Sequence, residues 1–191
     1  VESLLKERDG LEIILVDDGS TDNSLSICQH YAEKDPRIKI YHKPNGGVSS
    51  ARNLGLEKST GTLISFADPD DSLHAECIEW LKRVLDETGA EIAYCYGLDL
   101  LGTTGRTQTK SDETEKVSVM PVIRYDWNSR KAHTVCWGAL YRRAVTQDVV
   151  FDTDLKIGED TLFLAKCIRK AEKIACIDKA LYYYYVNDDS V

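Results

Sequence analysis

One stretch constrains this chain more than any other: an apolar run of strand length, residues 63–67, passes directly into Asp-Pro-Asp-Asp. A glycine precedes the run and a proline lies just beyond it, so we predict a buried strand. The carboxylates of Asp68, Asp70 and Asp71 then share a small volume, where like charges raise one another's pKa unless a divalent cation balances them. A helix cap is the alternative, since Asp71 precedes the apolar-periodic segment 73–85. This stretch alone leaves both roles open.

The rest of the chain alternates between strand patterns and helix patterns. We predict strands at residues 11–16, 37–41, 63–67, 91–96, 173–177 and 181–186. Helices are predicted at residues 48–58, 73–87 and 162–168, with another that stops before Asp35 and the last turns of one at residues 1–8. This alternation implies a mainly parallel sheet with right-handed crossovers, flanked by helices. The 191 residues therefore predict a single α/β domain.

Composition argues against several classes of function. The 32 acidic and 24 basic side chains give a net charge of −8, which suits neither a nucleic-acid backbone nor an anionic membrane surface. No apolar run approaches the roughly 18–20 residues of a membrane-spanning helix. The six cysteines have no C-x-x-C spacing, so buried free thiols are favoured over disulfides or zinc. None of the four histidines has a spaced partner that suggests a metal site or a nucleophile triad, and we expect structural or surface roles for them.

The acidic residues follow the predicted strands at the place where α/β sheets bind ligands. Such sheets bind ligands beyond the carboxyl ends of their strands. Asp17 and Asp18 follow the first predicted strand, and residues 68–71 follow the third, so the fold brings both acidic clusters to one edge. The convergence predicts a nucleotide–metal site. The patterns G-x-x-x-x-G-K-[ST] and, after a strand, G-x-G-x-x-G are absent, so we expect a metal on carboxylates to hold the phosphates.

Three motifs, in this order and spacing, carry a resemblance to a known family. They are D-D-G-S-T-D at residues 17–22, G-G-V-S-S-A-R-N-L-G at residues 46–55 and D-P-D-D at residues 68–71. The chain resembles the family 2 glycosyltransferases in all three. The similarity continues through W-G-A-L-Y-R-R at residues 137–143, G-E-D-T-L-F at residues 158–163 and the tyrosines at residues 182–185. The resemblance implies the GT-A fold, with residues 1–98 as the nucleotide-sugar-binding half and residues 99–191 as the acceptor-binding half.

The resemblance also implies nucleotide-binding roles for matching polar residues. Asp18, with Asp17 as a second candidate, is expected to contact the uracil and ribose of a UDP-sugar. Arg52 is expected near the base, and Asp68 at the ribose or diphosphate. Taken singly, Asp17 and Asp18 could simply open a capped turn, and Arg52 could be a solvated helix residue.

For the chemistry, the resemblance implies that Asp70 ligates Mn²⁺ or Mg²⁺ and that Asp160 is the general base. Carboxylates suit such hard cations, and a carboxylate close to an acceptor hydroxyl can take its proton. Glu159 and Asp160 could instead be simple helix-start acids. At a helix start the dipole lowers the pKa of a carboxyl group, so we expect Asp160 to be ionised. We also expect both acids to face outward, with Glu159 pointing away from Asp160.

The function implied is metal-dependent, inverting transfer of a sugar from a UDP-sugar to a hydroxyl group of a glycan or lipid-linked acceptor. Surface polysaccharide or glycan synthesis in the cytoplasm is the expected setting, at most at the inner face of the membrane. No nucleic acid is expected as a partner. Two alternatives stay open: a nucleotidyltransferase on a similar fold, and a non-catalytic domain that binds nucleotide sugars.

Several further expectations concern single segments. Family members usually begin with a strand that leads into a turn such as Pro-x-Tyr-Asn, so we expect that strand upstream of Val1. Residues 102–116 are rich in Gly, Thr and charge, which indicates an exposed hairpin or mobile loop. Trp127 and Trp137 are interpreted as core residues or as an acceptor platform, with core favoured for Trp137. The tyrosine run is interpreted as a half-buried strand rather than a stacking platform.

Overall fold

Helices and strands alternate along the first half of the chain, as the sequence predicts. The computed structural model describes residues 1–6, 10–101, 105–106, 116–126 and 133–186. The helices in these ranges are α1 (Glu2–Leu5), α2 (Ser24–Lys34), α3 (Val48–Lys58), α4 (Cys77–Thr88), α5 (Arg143–Thr146) and α6 (Glu159–Ile168), with a 3₁₀ turn at Val122–Arg124. The strands are β1 (Ile13–Asp17), β2 (Ile38–His42), β3 (Leu63–Ser65), β4 (Ser72–Leu73), β5 (Ile92–Leu101), β6 (Gly105–Arg106), β7 (Val117–Pro121), β8 (Ala139–Arg142) and β9 (Lys173–Val186). Trp127 and most of the predicted loop at residues 102–116 lie outside the described residues.

Two sheets form the framework of the described residues. β1 and β2 pair in parallel, and a seven-stranded sheet has the order β3-β8-β5-β9-β4, with β6 beside β5 and β7 beside β9. The α/β class is confirmed, but the larger sheet is mixed rather than mainly parallel. β5 runs parallel to β9, whereas β8 runs antiparallel to both its neighbours, β3 and β5. A crossover helix fixes the direction of the strands it joins and not their adjacency. β3 and β5, which α4 joins, are thus parallel, and β8 enters between them.

The larger sheet carries a hydrophobic layer on each face. Alternate residues of a strand point to opposite faces. In β5, Ile92 and Tyr94 pack with residues of α5 and α6, whereas Ala93 and Cys95 pack with residues of α4. The two layers share the central strands, so helices on both faces are held to one sheet.

Helix α4 begins at Cys77, later than the predicted start at residue 73. Ser72 and Leu73 instead form β4, which pairs with β9. Leu73 is buried among residues of α4, so its apolar character fits a helical pattern although its backbone is extended. Glu76 precedes the first residue of the helix. The interpretation of Asp71 as a helix cap is therefore wrong.

The last two predicted strands form one continuous strand, β9. Asp178 and Lys179 interrupt the apolar pattern, which is why the sequence predicts a break. The pairing of β9 with β5 continues past them through a shift of register opposite Tyr96. A β-bulge of this kind absorbs an irregularity without ending the strand.

The six cysteines are free thiols, as predicted, and five of them are buried. The five buried cysteines contribute to the two hydrophobic layers as small apolar side chains. In the described part of the chain, no helix combines the length and the apolar character needed to cross a lipid bilayer.

Candidate active site

Helix α3 places Arg52 among three carboxylates that come from two distant parts of the chain. Its Nη2 donates to Asp68 Oδ1 at 2.8 Å, and its Nη1 donates to Asp160 Oδ1 at 2.5 Å and to Glu159 Oε1 at 3.1 Å. The Arg52 side chain is only 12% exposed. We call these four residues the Arg52 cluster. The structure thus brings together three residues that the sequence predicts for the site: Arg52, Asp68 and Asp160.

Asn53 explains how α3 and α6 meet. Its Nδ2 donates to the Phe151 carbonyl at 2.9 Å, and its Oδ1 accepts from the Phe151 N–H at 2.8 Å. This pair of bonds fixes the segment that leads into α6 against α3. The Phe151 ring also lies 5.4 Å from the Arg52 guanidinium carbon, close enough for a cation–π contact. Sequence reasoning missed Asn53, although it stands next to Arg52 in the second motif.

The Arg52 cluster holds more negative than positive charge, since three carboxylates surround one guanidinium. Burial alone would lower the pKa of Arg52, but the Cys136 thiol group and the carboxylates of Asp160 and Asp68 raise it, so the guanidinium stays charged. The surplus of negative charge favours binding of a further cation or a proton here.

Burial raises the pKa of Asp160 above its ordinary value, and the opposing effects of Arg52 and of a hydrogen bond with Cys136 do not cancel it. The expected lowering by the helix dipole is therefore wrong in direction. The Asp160 and Glu159 side chains are only 17% and 15% exposed. Both bind the same guanidinium nitrogen, so the expectation that they face outward and apart is also wrong. The local sequence of the helix start could not show this, because Arg52 lies more than a hundred residues away along the chain.

The three carboxylates after β3 occupy three different environments. Asp68 binds Arg52. Asp71 accepts a hydrogen bond from the Tyr182 hydroxyl at 2.7 Å and another from the Tyr185 N–H at 3.0 Å. The side chain of Asp70 is exposed, and within the described residues it has no hydrogen bond or ion pair. Burial, together with the charges of Asp70 and Asp68, keeps the pKa of Asp71 raised although its two hydrogen bonds lower it. Asp70 remains available to a ligand.

The acids after β1 form a second group, in which Asp18 holds the turn between β2 and α3. Asp18 accepts from Lys43 Nζ at 2.5 Å and from the Gly47 N–H at 2.7 Å, with the Gly46 N–H slightly further away. These donors outweigh burial and lower the pKa of Asp18. The Gly46 N–H contacts both oxygens of Asp18, so each oxygen already accepts two contacts, and a nucleotide would have to displace one of these donors.

Asp17 is enclosed rather than accessible. Its carboxylate lies 2.6 Å from His42 Nδ1 and accepts from the Ser20 N–H, and the side chain is 2% exposed. Hydrogen bonds from Ser20 and His42 lower the pKa of Asp17. A direct contact with a nucleotide would require this pair to open. The sequence predicts a structural or surface role for His42 and does not show this pair. The parallel register of β1 and β2, which sets Asp17 opposite His42, explains it.

The aromatic residues near β9 form a stack beside the Asp68–Asp71 loop. The Trp137 ring stacks on Tyr182 at 4.4 Å and on Tyr184 at 5.9 Å between ring centroids. Trp137 is partly buried, Tyr182 is fully buried and Tyr185 is exposed. The tyrosine run is therefore a half-buried strand, as predicted.

The chemistry of Asp70 and Asp68 fits a hard divalent cation. Magnesium is commonly held by one or two carboxylates together with phosphate oxygens of the substrate. In the described ranges, no group of three or more His, Cys, Asp or Glu side chains is arranged to hold a metal ion. An exposed carboxylate without a protein partner is the kind of ligand that such a shared site uses, and Asp70 meets this description.

Comparison with known proteins identifies the family. The sequence model described as glycosyl transferase family 2 matches residues 1–150. The chain therefore belongs to the family 2 glycosyltransferases, as the motifs predicted.

Relatives and solved structures agree with this assignment. The glycosyltransferase EpsJ of Bacillus subtilis is 33% identical over 205 residues, which cover 100% of this chain and 57% of EpsJ. The minor teichoic acid biosynthesis protein GgaB of the same species is 33% identical over 99% of this chain and 21% of its own length. Residues 1–349 of Staphylococcus aureus TarS, solved with UDP-GlcNAc, match with a TM-score of 0.81 and 28% identity over 99% of this chain and 54% of that chain. The GT-A fold is thereby confirmed, and the chain spans little more than half the length of EpsJ and of that TarS fragment.

Proposed function

We propose that this chain carries the donor-binding and catalytic part of an enzyme that transfers a sugar from a UDP-sugar to a glycan hydroxyl group. The family supports the reaction class. TarS, a poly(ribitol-phosphate) β-N-acetylglucosaminyltransferase, is solved with UDP and with UDP-GlcNAc, which supports a UDP-sugar as donor. GgaB, named for minor teichoic acid biosynthesis, and TarS support a teichoic-acid-type polymer as acceptor, and we include its lipid-linked form in the proposal.

One observation carries the proposal: a single guanidinium contacts both Asp68 and Asp160. Asp68 lies in the motif that the resemblance assigns to the donor, and Asp160 is the proposed base. Transfer requires donor and base within one site, because the acceptor oxygen loses its proton as it attacks the anomeric carbon. Residues 1–98 supply Asp68 and Arg52, and residues 99–191 supply Asp160, in line with the proposed division into donor and acceptor halves.

The environment of Asp160 suits a general base in a direct displacement reaction, in which the acceptor oxygen is the nucleophile. The acceptor hydroxyl gives its proton to Asp160 while its oxygen bonds to the anomeric carbon, and UDP leaves with the electron pair of the broken bond. A pKa raised by burial makes the carboxylate a stronger base, and the charge of Arg52 keeps it ionised. Attack opposite the leaving group inverts the anomeric carbon, which is the outcome the family resemblance implies.

Asp70 is the residue that we propose holds Mn²⁺ or Mg²⁺. Such a cation, when bound, stabilises negative charge on the departing diphosphate. Asp68 and Asp18 are the proposed contacts for the sugar nucleotide itself. The Arg52 side chain lies between Asp68 and Asp160, the proposed general base, and holds both carboxylates in place.

A panel of UDP-sugars tests the donor and the reaction class together. With Mn²⁺, UDP and one UDP-sugar should raise the melting temperature, because a ligand at about 100 times its Kd adds about 2.7 kcal/mol of stability. Turnover should release UDP. Release of pyrophosphate when UTP and a sugar 1-phosphate are supplied instead would indicate a nucleotidyltransferase, and binding of UDP-sugar without any turnover would indicate a non-catalytic domain.

The variant Asp70→Ala tests the proposed cation ligand. Since the Asp70 side chain is exposed, we expect unchanged stability without ligand and loss of the Mn²⁺-dependent stabilisation by UDP. Glu87→Ala, which removes an exposed carboxylate from α4, is the matched control and should bind as wild type does. Unchanged UDP affinity with Mn²⁺ in Asp70→Ala would refute the assignment.

A further inference from the structure

The loop that carries Asp68 and Asp70 is tied to the last strand by the Tyr182 hydroxyl and by the Tyr185 N–H. We call residues 68–71 the DPDD loop. The Tyr182 hydroxyl accepts from the Asp68 N–H at 3.1 Å and donates to Asp71 Oδ2 at 2.7 Å. It therefore joins the first and the last residue of the loop. The Asp71 N–H also donates to the Asp68 carbonyl at 3.2 Å, which closes the loop into a turn.

Tyr182 is itself held firmly. Its side chain is fully buried, and its ring stacks on Trp137 with centroids 4.4 Å apart. Its backbone lies opposite Leu73 in the pairing of β4 with β9. A buried ring between a strand pair and an indole has no freedom to swing, so its hydroxyl is a fixed point against which the loop is built.

Asp71 and Asp70 are neighbours with opposite surroundings. Both oxygens of Asp71 accept hydrogen bonds, Oδ2 from Tyr182 and Oδ1 from the Tyr185 N–H. Asp70 is exposed and has no such bond within the described residues. The loop thus has one carboxylate turned to the protein and one left for a ligand.

We propose that Tyr182 and Asp71 form a brace that fixes the DPDD loop, and with it the positions of Asp68 and Asp70 toward the donor diphosphate and its cation. Tyr182 is a positioning residue, because it acts through the loop and touches no reacting atom. The inference rests on the proposed function and adds to it the residues that arrange the cation ligand in advance. A carboxylate that is already held in position loses less conformational freedom when the cation and diphosphate bind. The affinity for them is therefore higher.

Tyr182→Phe tests the brace with the smallest possible change. The ring, its burial and its stacking are kept, and only the hydroxyl is lost. We expect UDP binding in the presence of Mn²⁺ to weaken by on the order of tenfold, the usual effect of a lost buried hydrogen bond to a charged group. The Mn²⁺ concentration for half-maximal stabilisation by UDP should rise as well. A residue that only supports the core would lower the melting temperature and leave that concentration unchanged.

Tyr183→Phe is the matched control. Tyr183 is the next residue of β9, it is partly exposed, and among the described residues its hydroxyl has no hydrogen bond. This variant should bind UDP and Mn²⁺ as wild type does. Equal binding by the two Tyr→Phe variants would overturn the brace. Failure of the wild-type protein to bind UDP with Mn²⁺ would instead refute the proposed function.

A double-mutant cycle separates the brace from a general effect of charge. Asp71→Ala removes the partner of the hydroxyl, so Tyr182→Phe should cost much less affinity in that background than in wild type. Additive losses would contradict the brace. If Tyr182→Phe does not fold, Asp71→Ala alone still decides: it should raise the Mn²⁺ requirement for UDP binding, and an unchanged requirement would overturn the proposal.

Discussion

At the scale of single residues, burial and Arg52 act on Asp160 in opposite directions. Burial raises the pKa of Asp160, while the Arg52 guanidinium and Cys136 lower it; Glu159 and Asp68 also face the cluster and raise it. The net pKa is raised, so the folded protein binds the proton more tightly than the unfolded chain does. The contribution of Asp160 to the stability of the fold therefore falls as the pH rises through the pKa of the unfolded chain. It levels off above the raised pKa of the folded protein. On acidification, Asp160 becomes protonated at a higher pH than an exposed aspartate does, so the ionised base is lost earlier.

Removal of the Arg52 charge should move the acid limb of activity. In Arg52→Gln the guanidinium no longer favours the ionised form, so we expect the acid limb of the pH–rate profile for UDP release to shift upward by about 1–3 pH units. Arg52→Lys keeps the charge and should shift it less. The measurement is the pH dependence of kcat in the three proteins. An unmoved limb in Arg52→Gln would show that Asp160 does not limit the rate at low pH.

The motifs predict which residues belong to the site better than they predict how those residues interact. Asp68, Arg52 and Asp160 are found by sequence and meet in the structure. The pKa of Asp160 is mispredicted because burial depends on segments far away in the sequence. Tyr182 is missed as a loop contact for the same reason, since 111 residues separate it from Asp71.

At the scale of elements, the turn between β1 and α2 depends on a close approach of two backbones. Gly19 has φ +75°, and a Cβ placed there would lie 2.7 Å from the Asn45 backbone nitrogen. Only glycine allows both the conformation and the contact. The approach of this turn to Asn45 brings Asp18 within hydrogen-bonding distance of Gly46 and Gly47 at the start of α3.

Gly19→Ala should therefore destabilise the protein more than a positive φ alone would. Gly89→Ala is the matched control, since Gly89 has φ +68° and a methyl group there would meet no atom within 4 Å. We expect about 1–2 kcal/mol for Gly89→Ala from the left-handed conformation, and a clearly larger loss for Gly19→Ala. Urea unfolding of both variants measures the difference. Equal losses would mean that the close approach to Asn45 costs nothing.

Elements with local signals are predicted well, and elements defined by distant pairing are not. Helix α3 spans Val48–Lys58, the predicted range, because a turn rich in Pro and Gly at residues 44–47 immediately precedes it. The two-residue strand β4 exists only because it pairs with β9. The position of β8 between β3 and β5 likewise depends on a late part of the chain.

At the scale of the whole molecule, an aromatic cluster joins the two halves of the chain beneath the candidate site. Phe163 of α6 stacks on Phe151 at 4.0 Å, and Phe66, just after β3, lies edge-on to both at 5.3 Å. Phe163 and Phe151 are almost fully buried. The cluster fixes α6, and so Asp160, to the strand that leads into Asp68.

Phe163→Ala should destabilise the molecule as a whole. Loss of a buried phenyl ring in a core costs about 3–5 kcal/mol. Ile123→Ala, at a side chain that is 93% exposed, removes apolar atoms without loss of packing and should leave stability nearly unchanged. The midpoint and slope of urea unfolding measure both. A loss below about 1 kcal/mol in Phe163→Ala, against the usual cost of a core cavity, would show that the halves are not joined through this cluster.

The central claim is that Asp160 takes the acceptor proton at a site where Asp68 and Asp70 hold the donor. Its most direct test is the rate of sugar transfer by Asp160→Asn, with the UDP-sugar selected by the panel and Mn²⁺, compared with Glu159→Gln. Both variants lose one carboxylate from the same Arg52 nitrogen, so they differ mainly in which residue could accept the proton. We predict that Asp160→Asn lowers the rate by on the order of 10²–10⁴ while UDP binding is nearly unchanged, and that Glu159→Gln stays close to wild type. Near-wild-type transfer by Asp160→Asn would contradict the claim.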